Sequence, residues 1–326
     1  MNIGFILYDS RSGSTFLSRQ LHEFDAVYVT AESAFISRIF DGKIVQAKDV
    51  SADKIVDFLN QEIHFLELKI DNQRLLNEIN LLIDNGELSN KNLIRLIIDI
   101  QIKSNFKEQW ILIKHPLFEH LNTIHEIFPE SKFIHIIRDP RGVHSSKKRS
   151  VNLEGKVFSN NALKTSLKYR YKVNKILNFQ SNHKDMVHHI RYCDLLTKNK
   201  ETLNKCLNFL KVNNSTNNNK SYFEEIGSNQ KSLHTNVKSG AIEKKISSWK
   251  QELSKNEIAV ISHYCQSLIN YFDFEKVPFS SFKVKITSLK LYAIYMTTSI
   301  KNFVKISFKN PELVASKIRY LKTFIR

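Results

Sequence analysis

The sequence is poor in cysteine, glycine and proline. Its three cysteines, Cys193, Cys206 and Cys265, are far apart and show no paired spacing. This distribution argues against a disulfide framework and against a zinc site, and it fits a reducing compartment. With only eight glycines and five prolines among 326 residues, a repetitive or loop-rich fold is disfavoured.

Long hydrophobic runs are also missing. No stretch of about 18 apolar residues occurs, so we expect no membrane-spanning helix. The first predicted strand begins near Ile3, which leaves no room for a secretory signal ahead of it. Both absences favour a cytoplasmic location.

Acidic residues are scarce in the C-terminal segment. The chain carries a net charge of +17, and residues 276–326 contain eleven Lys or Arg and one acid, which gives 11 − 1 = +10. We therefore expect a domain over 1–275 followed by a basic extension. We favour an amphipathic helix that packs on the domain; the alternative is contact of 279–326 with an anionic membrane surface. The apolar residues of the extension have helical spacing: Leu289, Tyr292, Met296, Ile300 and Phe303.

The beginning of the chain predicts a strand, a tight loop and a helix. Phe5–Tyr8 is an apolar run too short for a helix, which is typical of a buried parallel strand. A small polar loop, Ser10–Ser14, follows, and helical spacing begins at Thr15. This geometry directs backbone N–H groups and the positive end of a helix at a phosphate, and Arg11 adds a cation. The loop lacks the Lys of G-x-x-x-x-G-K-[ST], which disfavours the magnesium-dependent nucleotide loop.

A second loop of the same kind follows another buried-strand run, Phe133–Ile137. Arg138 leaves the strand end, Pro140 suits a first helical turn, and Ser146 lies about two turns further along. Two phosphate-type sites at the carboxyl ends of parallel strands fit the ligand-binding edge of an open α/β sheet. The basic residues that follow are interpreted as a solvated face: Lys147, Lys148 and Arg149.

Together the two loops resemble those of the sulfotransferases that use 3′-phosphoadenosine 5′-phosphosulfate (PAPS). The resemblance rests on Arg11-Ser12-Gly13-Ser14-Thr15 and on Arg138-Asp139-Pro140-Arg141 with Ser146, within residues 3–275. It implies an α/β fold of three layers, α/β/α, with a mostly parallel central sheet similar to that of nucleotide kinases. It also implies that the first loop binds the 5′-phosphosulfate and that Arg138 and Ser146, or else Ser145, bind the 3′-phosphate. No metal is implied.

The resemblance suggests roles for further residues. Glu32 lies 21 positions after Arg11 and matches the general base of the tyrosylprotein branch, with His115 as an alternative base. Lys114 follows a short apolar run in a Lys-x-Pro sequence, which in similar enzymes places the Lys beside the phosphosulfate. Arg11 and Lys114 would therefore hold the leaving group. Tyr192 lies in a stretch similar to the family's strand ending in Tyr-Glu-Asp-Leu, and it would lie near the adenosine.

Two parts of the sequence depart from that pattern or lie outside its motifs. Ser248 stands where similar enzymes have Lys or Arg before the Trp, here Trp249. Lys238, Lys244 or Lys245 is expected to supply the missing cation. Ser232 and Thr235 are candidates for the hydroxyl that the tyrosylprotein branch places near the sulfonate. Residues 35–108 have helical spacing and are predicted to be a helical cap inserted over the sheet edge, with a last helix at about 90–106.

The function predicted from these features is transfer of a sulfonyl group from PAPS to an acceptor hydroxyl. A saccharide or glycolipid is the first candidate acceptor, and a tyrosine side chain is the second. Two other classes are kept as alternatives: a P-loop kinase that uses ATP, and a non-catalytic protein that binds anions. Nucleic acid is not expected as a partner, because only Lys168–Lys172 interleaves cations with aromatic side chains.

Overall fold

The computed structural model describes most of the chain. The described residues are 2–47, 49–68, 70–101, 109–151, 155, 157–213, 215 and 246–309.

Five strands form the central sheet: β1 Asn2–Tyr8, β2 Val27–Val29, β3 Trp110–Lys114, β4 Lys132–Ile137 and β5 Val187–Arg191. All pair in parallel, in the order β2-β3-β1-β4-β5. β1 is central, and Phe5 pairs with Ile113 on one side and Phe133 on the other. The segments that follow the five strands therefore meet at one edge of the sheet.

Fifteen α-helices are described, with 3-10 turns at Ile44–Gln46 and Lys184–Met186. Their bounds are α1 Ser14–His22, α2 Phe35–Gly42, α3 Ala52–Asn60, α4 Ile63–Glu67, α5 Asn72–Asp84, α6 Asn90–Gln101, α7 Leu121–Ile127, α8 Pro140–Arg149, α9 Ala162–Asn182, α10 Tyr192–Thr197, α11 Asn199–Leu210, α12 Trp249–Glu252, α13 Lys255–Tyr264, α14 Gln266–Tyr271 and α15 Ser281–Lys309.

Helices cover both faces of the sheet, so the predicted three-layer α/β/α fold is confirmed. Alternate residues of β1 face opposite sides. Phe5 and Leu7 pack with α2 to α7 and with α9, whereas Ile6 and Tyr8 pack with α1, α10 and α11. Since both faces are buried, β1, β2 and β3 are nearly continuous apolar runs rather than alternating ones.

The helical segment after β2 is confirmed over its described residues, as the five helices α2 to α6. The predicted helix at about 90–106 is α6, which is described as far as Gln101; residues 102–108 lie outside the described part. The interpretation of 35–108 as an inserted cap stays a prediction.

The second Arg of the Arg-Asp-Pro-Arg sequence ties α8 to the C-terminal helices. Arg141 is fully buried; its Nη2 atom donates to Asp139 Oδ2 and to the Glu275 carbonyl, both at 2.6 Å. Its guanidinium carbon lies 4.0 Å from the centre of the Trp249 ring. These contacts fix the direction of α8, which starts at Pro140 as predicted.

The last described helix, α15, packs on the domain through one face. Its packed residues are Val284, Ser288, Leu291 and Tyr295. Asn161 Nδ2 donates to the Leu291 carbonyl at 3.0 Å, and Lys164 Nζ lies 5.3 Å from the centre of the Tyr295 ring. The expected helix and its expected packing are both present. The division into 1–275 and 276–326 stays a prediction.

The predicted stripe on α15 is not the face that packs. Leu289, Tyr292 and Met296 are exposed at 70%, 52% and 40%, and the side chains of Ile300 and Phe303 lie outside the described part. Exposed apolar residues with regular spacing form what we call the apolar stripe: Phe282, Ile286, Leu289, Ala293 and Met296. No helix among the described residues is both long and apolar enough to span a bilayer.

Lowering the pH from 7 to 4.5 is expected to destabilise the fold through a histidine pair. His135 and His189 are paired neighbours on β4 and β5, and their Nδ1 atoms lie 2.8 Å apart. Burial and, to a smaller extent, the neighbouring His188 lower the pKa of His189 to about 4. Because a histidine of the unfolded chain titrates near 6.5, the unfolded state binds protons first, and the free energy of unfolding falls as the pH drops from about 6.5 to 4.

Urea unfolding at the two pH values measures this loss. We expect His189→Gln to remove about 2 kcal/mol of it. An equal pH dependence in wild type and His189→Gln would contradict the assignment.

Candidate active site

The loop between β1 and α1 contains two residues with positive φ, a backbone conformation that few residue types adopt readily. Arg11 and Gly13 both have positive φ, 71° and 94°. Ser12 N donates to the Asp9 carbonyl at 3.1 Å, and Leu17 N donates to the Gly13 carbonyl at 3.1 Å, which begins α1. A Cβ atom at Gly13 would lie 2.4 Å from Cδ2 of Tyr192. Glycine is therefore needed at this position both for its φ and for the close approach of the tyrosine ring.

Lys114, the last residue of β3, meets two of the other predicted site residues. Its side chain is fully buried, and its Nζ atom lies 3.0 Å from Glu32 Oε2 and 2.9 Å from Thr15 Oγ1. One third of the Glu32 side chain is exposed (33%). The predicted base, the predicted buried cation and the first loop thus converge at one edge of the sheet.

The segment that carries Glu32 is held by a residue that sequence reasoning missed. Glu62 Oε2 accepts from Ser33 Oγ at 2.6 Å and from Ala34 N at 3.2 Å. Its other oxygen accepts from His64 N at 3.1 Å and caps α4. No local signal in the sequence marks Glu62, because its partners Ser33 and Ala34 lie 29 and 28 positions away along the chain.

His115, the alternative base, is turned towards α2. Its Nε2 atom lies 2.7 Å from Ser37 Oγ, and only 3% of the residue is exposed. Burial lowers the pKa of His115 to about 4, although the nearby Glu32 raises it. The ring of His115 is therefore buried against Ser37, whereas Glu32 is partly exposed beside Lys114.

The second loop touches the first directly. Arg138 Nη1 donates to the Arg11 carbonyl at 3.1 Å, and Arg11 Nε donates to Ser146 Oγ at 3.2 Å. Ser145 donates instead to Glu252 of α12, so of the two serines it is Ser146 that lies beside the arginines.

Tyr192 joins this group from the fifth strand. β5 ends at Arg191, and Tyr192 opens α10 rather than ending the strand as expected. The turn into the helix places its ring over Gly13 and 4.7 Å from the Arg138 guanidinium carbon. The predicted cofactor-binding residues are therefore neighbours in space.

A buried ionic cluster fastens the first loop to two helices. Asp9 is 3% exposed, and its carboxylate accepts from Lys147 of α8 at 2.5 Å and from Lys172 of α9 at 2.6 Å. Burial by itself would raise the pKa of Asp9, but the two ammonium groups outweigh it and the pKa is lowered. The prediction that Lys147 is solvated was wrong, because it is 8% exposed and pairs with Asp9; Lys148 and Arg149 are substantially exposed.

The segment around Trp249 borders the second loop. A cavity of about 130 Å³ lies there, lined by residues that include Arg138, Tyr192, Cys193, Ser247 and Trp249. The residues proposed to replace the missing cation or to supply a hydroxyl lie outside the described part of the chain: Ser232, Thr235, Lys238, Lys244 and Lys245.

The donors at this edge suit an anionic ligand. Arg11, Lys114 and Arg138 supply three cations, and burial lowers the pKa of both arginines, so a bound anion would offset the cost of holding their charges. Ser12 Oγ is buried without a hydrogen-bond partner among the described residues. Those residues contain no group of three or more His, Cys, Asp or Glu side chains that could hold a metal ion.

A sulfotransferase family model and two solved sulfotransferase domains match this chain. A family model described as "Sulfotransferase family" matches residues 5–216. The chain is similar to the sulfotransferase domain of the Synechococcus PCC 7002 olefin synthase, with 18% identity and a TM-score of 0.59, over 85% of this chain and 96% of that one. It is also similar to the sulfotransferase domain from the curacin biosynthetic pathway, with 21% identity and a TM-score of 0.55, over 85% and 99%. No curated protein matches this chain.

Proposed function

Because the chain belongs to the sulfotransferase family, we propose that it transfers a sulfonyl group from PAPS to the hydroxyl of an acceptor. One observation carries the proposal. A buried lysine, Lys114, contacts both the candidate base Glu32 and Thr15 of the first loop. Proton acceptance and charge stabilisation are thereby available within a few ångströms, as in-line transfer to a hydroxyl requires.

The two loops would hold the two ends of the donor. Arg138 and Ser146 would bind the 3′-phosphate, and Tyr192 would lie near the adenosine. The first loop would bind the 5′ side through its amides and through these side chains: Arg11, Ser12, Ser14 and Thr15. When bound, PAPS supplies the sulfonyl group together with a phosphate leaving group.

Glu32, Lys114 and Arg11 would act on the reacting groups. Glu32, partly exposed, would accept the proton of the acceptor hydroxyl. Lys114 and Arg11 would stabilise the negative charge that develops on the leaving side. The ammonium of Lys114 is fully buried, so its charge acts in a medium of low dielectric and is already in position.

We place the acceptor among saccharides or glycolipids. The exposed apolar stripe of α15 and its lysines would suit work beside a lipid surface, and the cysteine usage suits the cytoplasm. A tyrosine side chain is the second candidate, because Arg11 and Glu32 match the pattern of the tyrosylprotein branch of the family.

Calorimetric binding of adenosine 3′,5′-bisphosphate, beside ADP with magnesium, tests the donor. We expect tight binding of the bisphosphate and weak binding of ADP. Arg138→Ala should weaken the bisphosphate by about 10- to 100-fold, because a charge-assisted hydrogen bond contributes about 1.5–3 kcal/mol. Ser146→Ala should weaken it by about fivefold, while the adjacent Ser145→Ala, the matched control, should change it by less than about twofold. Thermal unfolding checks that each variant is folded.

Two outcomes would overturn this proposal. Binding of ADP with magnesium but not of the bisphosphate would favour a P-loop kinase. Binding of neither ligand would favour a protein without this catalytic activity.

A further inference from the structure

The apolar stripe of α15 is a regular, exposed surface on a helix that is otherwise anchored. Its members are spaced at i, i+4, i+7, i+11 and i+14 from Phe282, which places them on one face of an α-helix. Phe282 and Leu289 are 72% and 70% exposed, and Ile286 and Met296 are also open to solvent. The packed face, with Val284, is nearly opposite. Packing on the domain therefore leaves the stripe uncovered by the described residues.

Lysines flank the stripe on both sides. At 100° per residue, Lys285 falls along one margin, and Lys283 and Lys290 fall along the other; all three are exposed. No acidic residue occurs between Glu275 and Glu312. An apolar face bordered by cations is the pattern of a helix that lies in the plane of a membrane interface.

We propose that α15 docks on an anionic lipid surface, with the apolar stripe among the acyl-chain boundary and the lysines at the headgroups. Anionic headgroups complement the charge on both margins. A second copy of this chain fits less well, because stripe-to-stripe contact would bring lysines against lysines with no carboxylate on the helix to pair with them. Since α15 is fixed to α9 and α13 by its other face, the whole domain would dock as one body.

This proposal does not depend on the sulfonyl-transfer proposal. It concerns the apolar stripe, on the face of α15 opposite the packed residues, and its readout is lipid binding. Binding of adenosine 3′,5′-bisphosphate, measured on the same variants, keeps the two proposals separable.

Flotation of the full-length chain with vesicles tests the inference. We expect co-flotation with phosphatidylcholine vesicles that contain about one third phosphatidylserine, and little with pure phosphatidylcholine. Phe282→Ser with Leu289→Ser should lower the bound fraction at least fivefold without altering bisphosphate affinity. Replacement of Lys283, Lys285 and Lys290 by Gln should lower it and reduce its dependence on salt.

Leu81→Ser on α5 is the matched control, because Leu81 is also an exposed leucine (54%) and it should leave flotation unchanged. Absence of wild-type flotation, or equal flotation of the Phe282→Ser, Leu289→Ser variant and wild type, would overturn the proposal. A dimer seen by sedimentation velocity and abolished by that variant would show that a second copy occupies the stripe instead.

Discussion

Glu32→Gln is expected to lower kcat for sulfonyl transfer by about 10²- to 10⁴-fold. The substitution keeps the size of the side chain but removes the carboxylate that would accept the proton of the acceptor. Affinity for adenosine 3′,5′-bisphosphate should change by less than about threefold, because the second loop and Tyr192 are untouched. Transfer from radiolabelled PAPS to whichever saccharide or tyrosine acceptor the wild type uses best provides kcat.

His115→Gln is the matched control for this variant. His115 is the neighbour of Lys114 along the chain, but its ring contacts Ser37 and burial lowers its pKa to about 4. We expect kcat to stay within about threefold of wild type. A greater loss in His115→Gln than in Glu32→Gln, with both variants folded by thermal unfolding, would transfer the role of base to the histidine.

Lys114→Met is expected to lower kcat by about 10²- to 10³-fold, the cost typical of removing one preorganised donor from a developing negative charge. Methionine fills much of the volume of lysine, and Glu32 is partly exposed, so its unpaired carboxylate can be solvated. The fold should survive, as thermal unfolding would check. Bisphosphate affinity should fall less than kcat, since the lysine acts chiefly on charge that appears in the transition state.

Lys205→Met provides the comparison for Lys114→Met. Lys205 lies on α11 with 64% of its side chain exposed and pairs only with Glu201 among the ion pairs of the described residues; kcat should be unchanged. Because Lys114 and Glu32 are in contact, the double variant Glu32→Gln, Lys114→Met should lose less than the sum of the two single losses in activation free energy. Full additivity, or a Lys114→Met variant with nearly normal kcat, would contradict the proposed arrangement.

The strands and the two anion loops were predictable because their signals are local. A short apolar run followed by small, cationic and hydroxyl residues determines a strand and a loop within about ten residues, and the parallel sheet then brings such loops to one edge. That is why Arg11 and Arg138 could be grouped from the sequence, whereas Lys114 was added only through the resemblance to sulfotransferases.

The supports of the site were not predictable in this way, because their partners are distant in sequence. Asp9 pairs with Lys147 and Lys172, and Glu62 binds the backbone after Glu32. From the sequence each of these charged residues is indistinguishable from a solvated one, and only the packing of α8 and α9 against the loop determines that Lys147 is buried.

Which face of α15 packs was not predictable from the sequence, for a related reason. The helix carries two apolar faces, one with Leu291 and one with Leu289, and each has helical spacing. Periodicity shows that a face is apolar but not what covers it. The choice is made by α9 and α13, whose surfaces the sequence does not describe.

The carboxylate of Asp9 has a consequence for how a nucleotide would be bound. Its two ion pairs, together with the Arg138 and Ser146 contacts to Arg11, join both anion loops into one unit through protein groups alone. The conformational entropy of ordering these loops is therefore spent when the chain folds, not when a ligand arrives. The affinity for a nucleotide bound at these loops would then be coupled to the stability of the fold, since whatever loosens Asp9 would move that entropy cost back into the binding step.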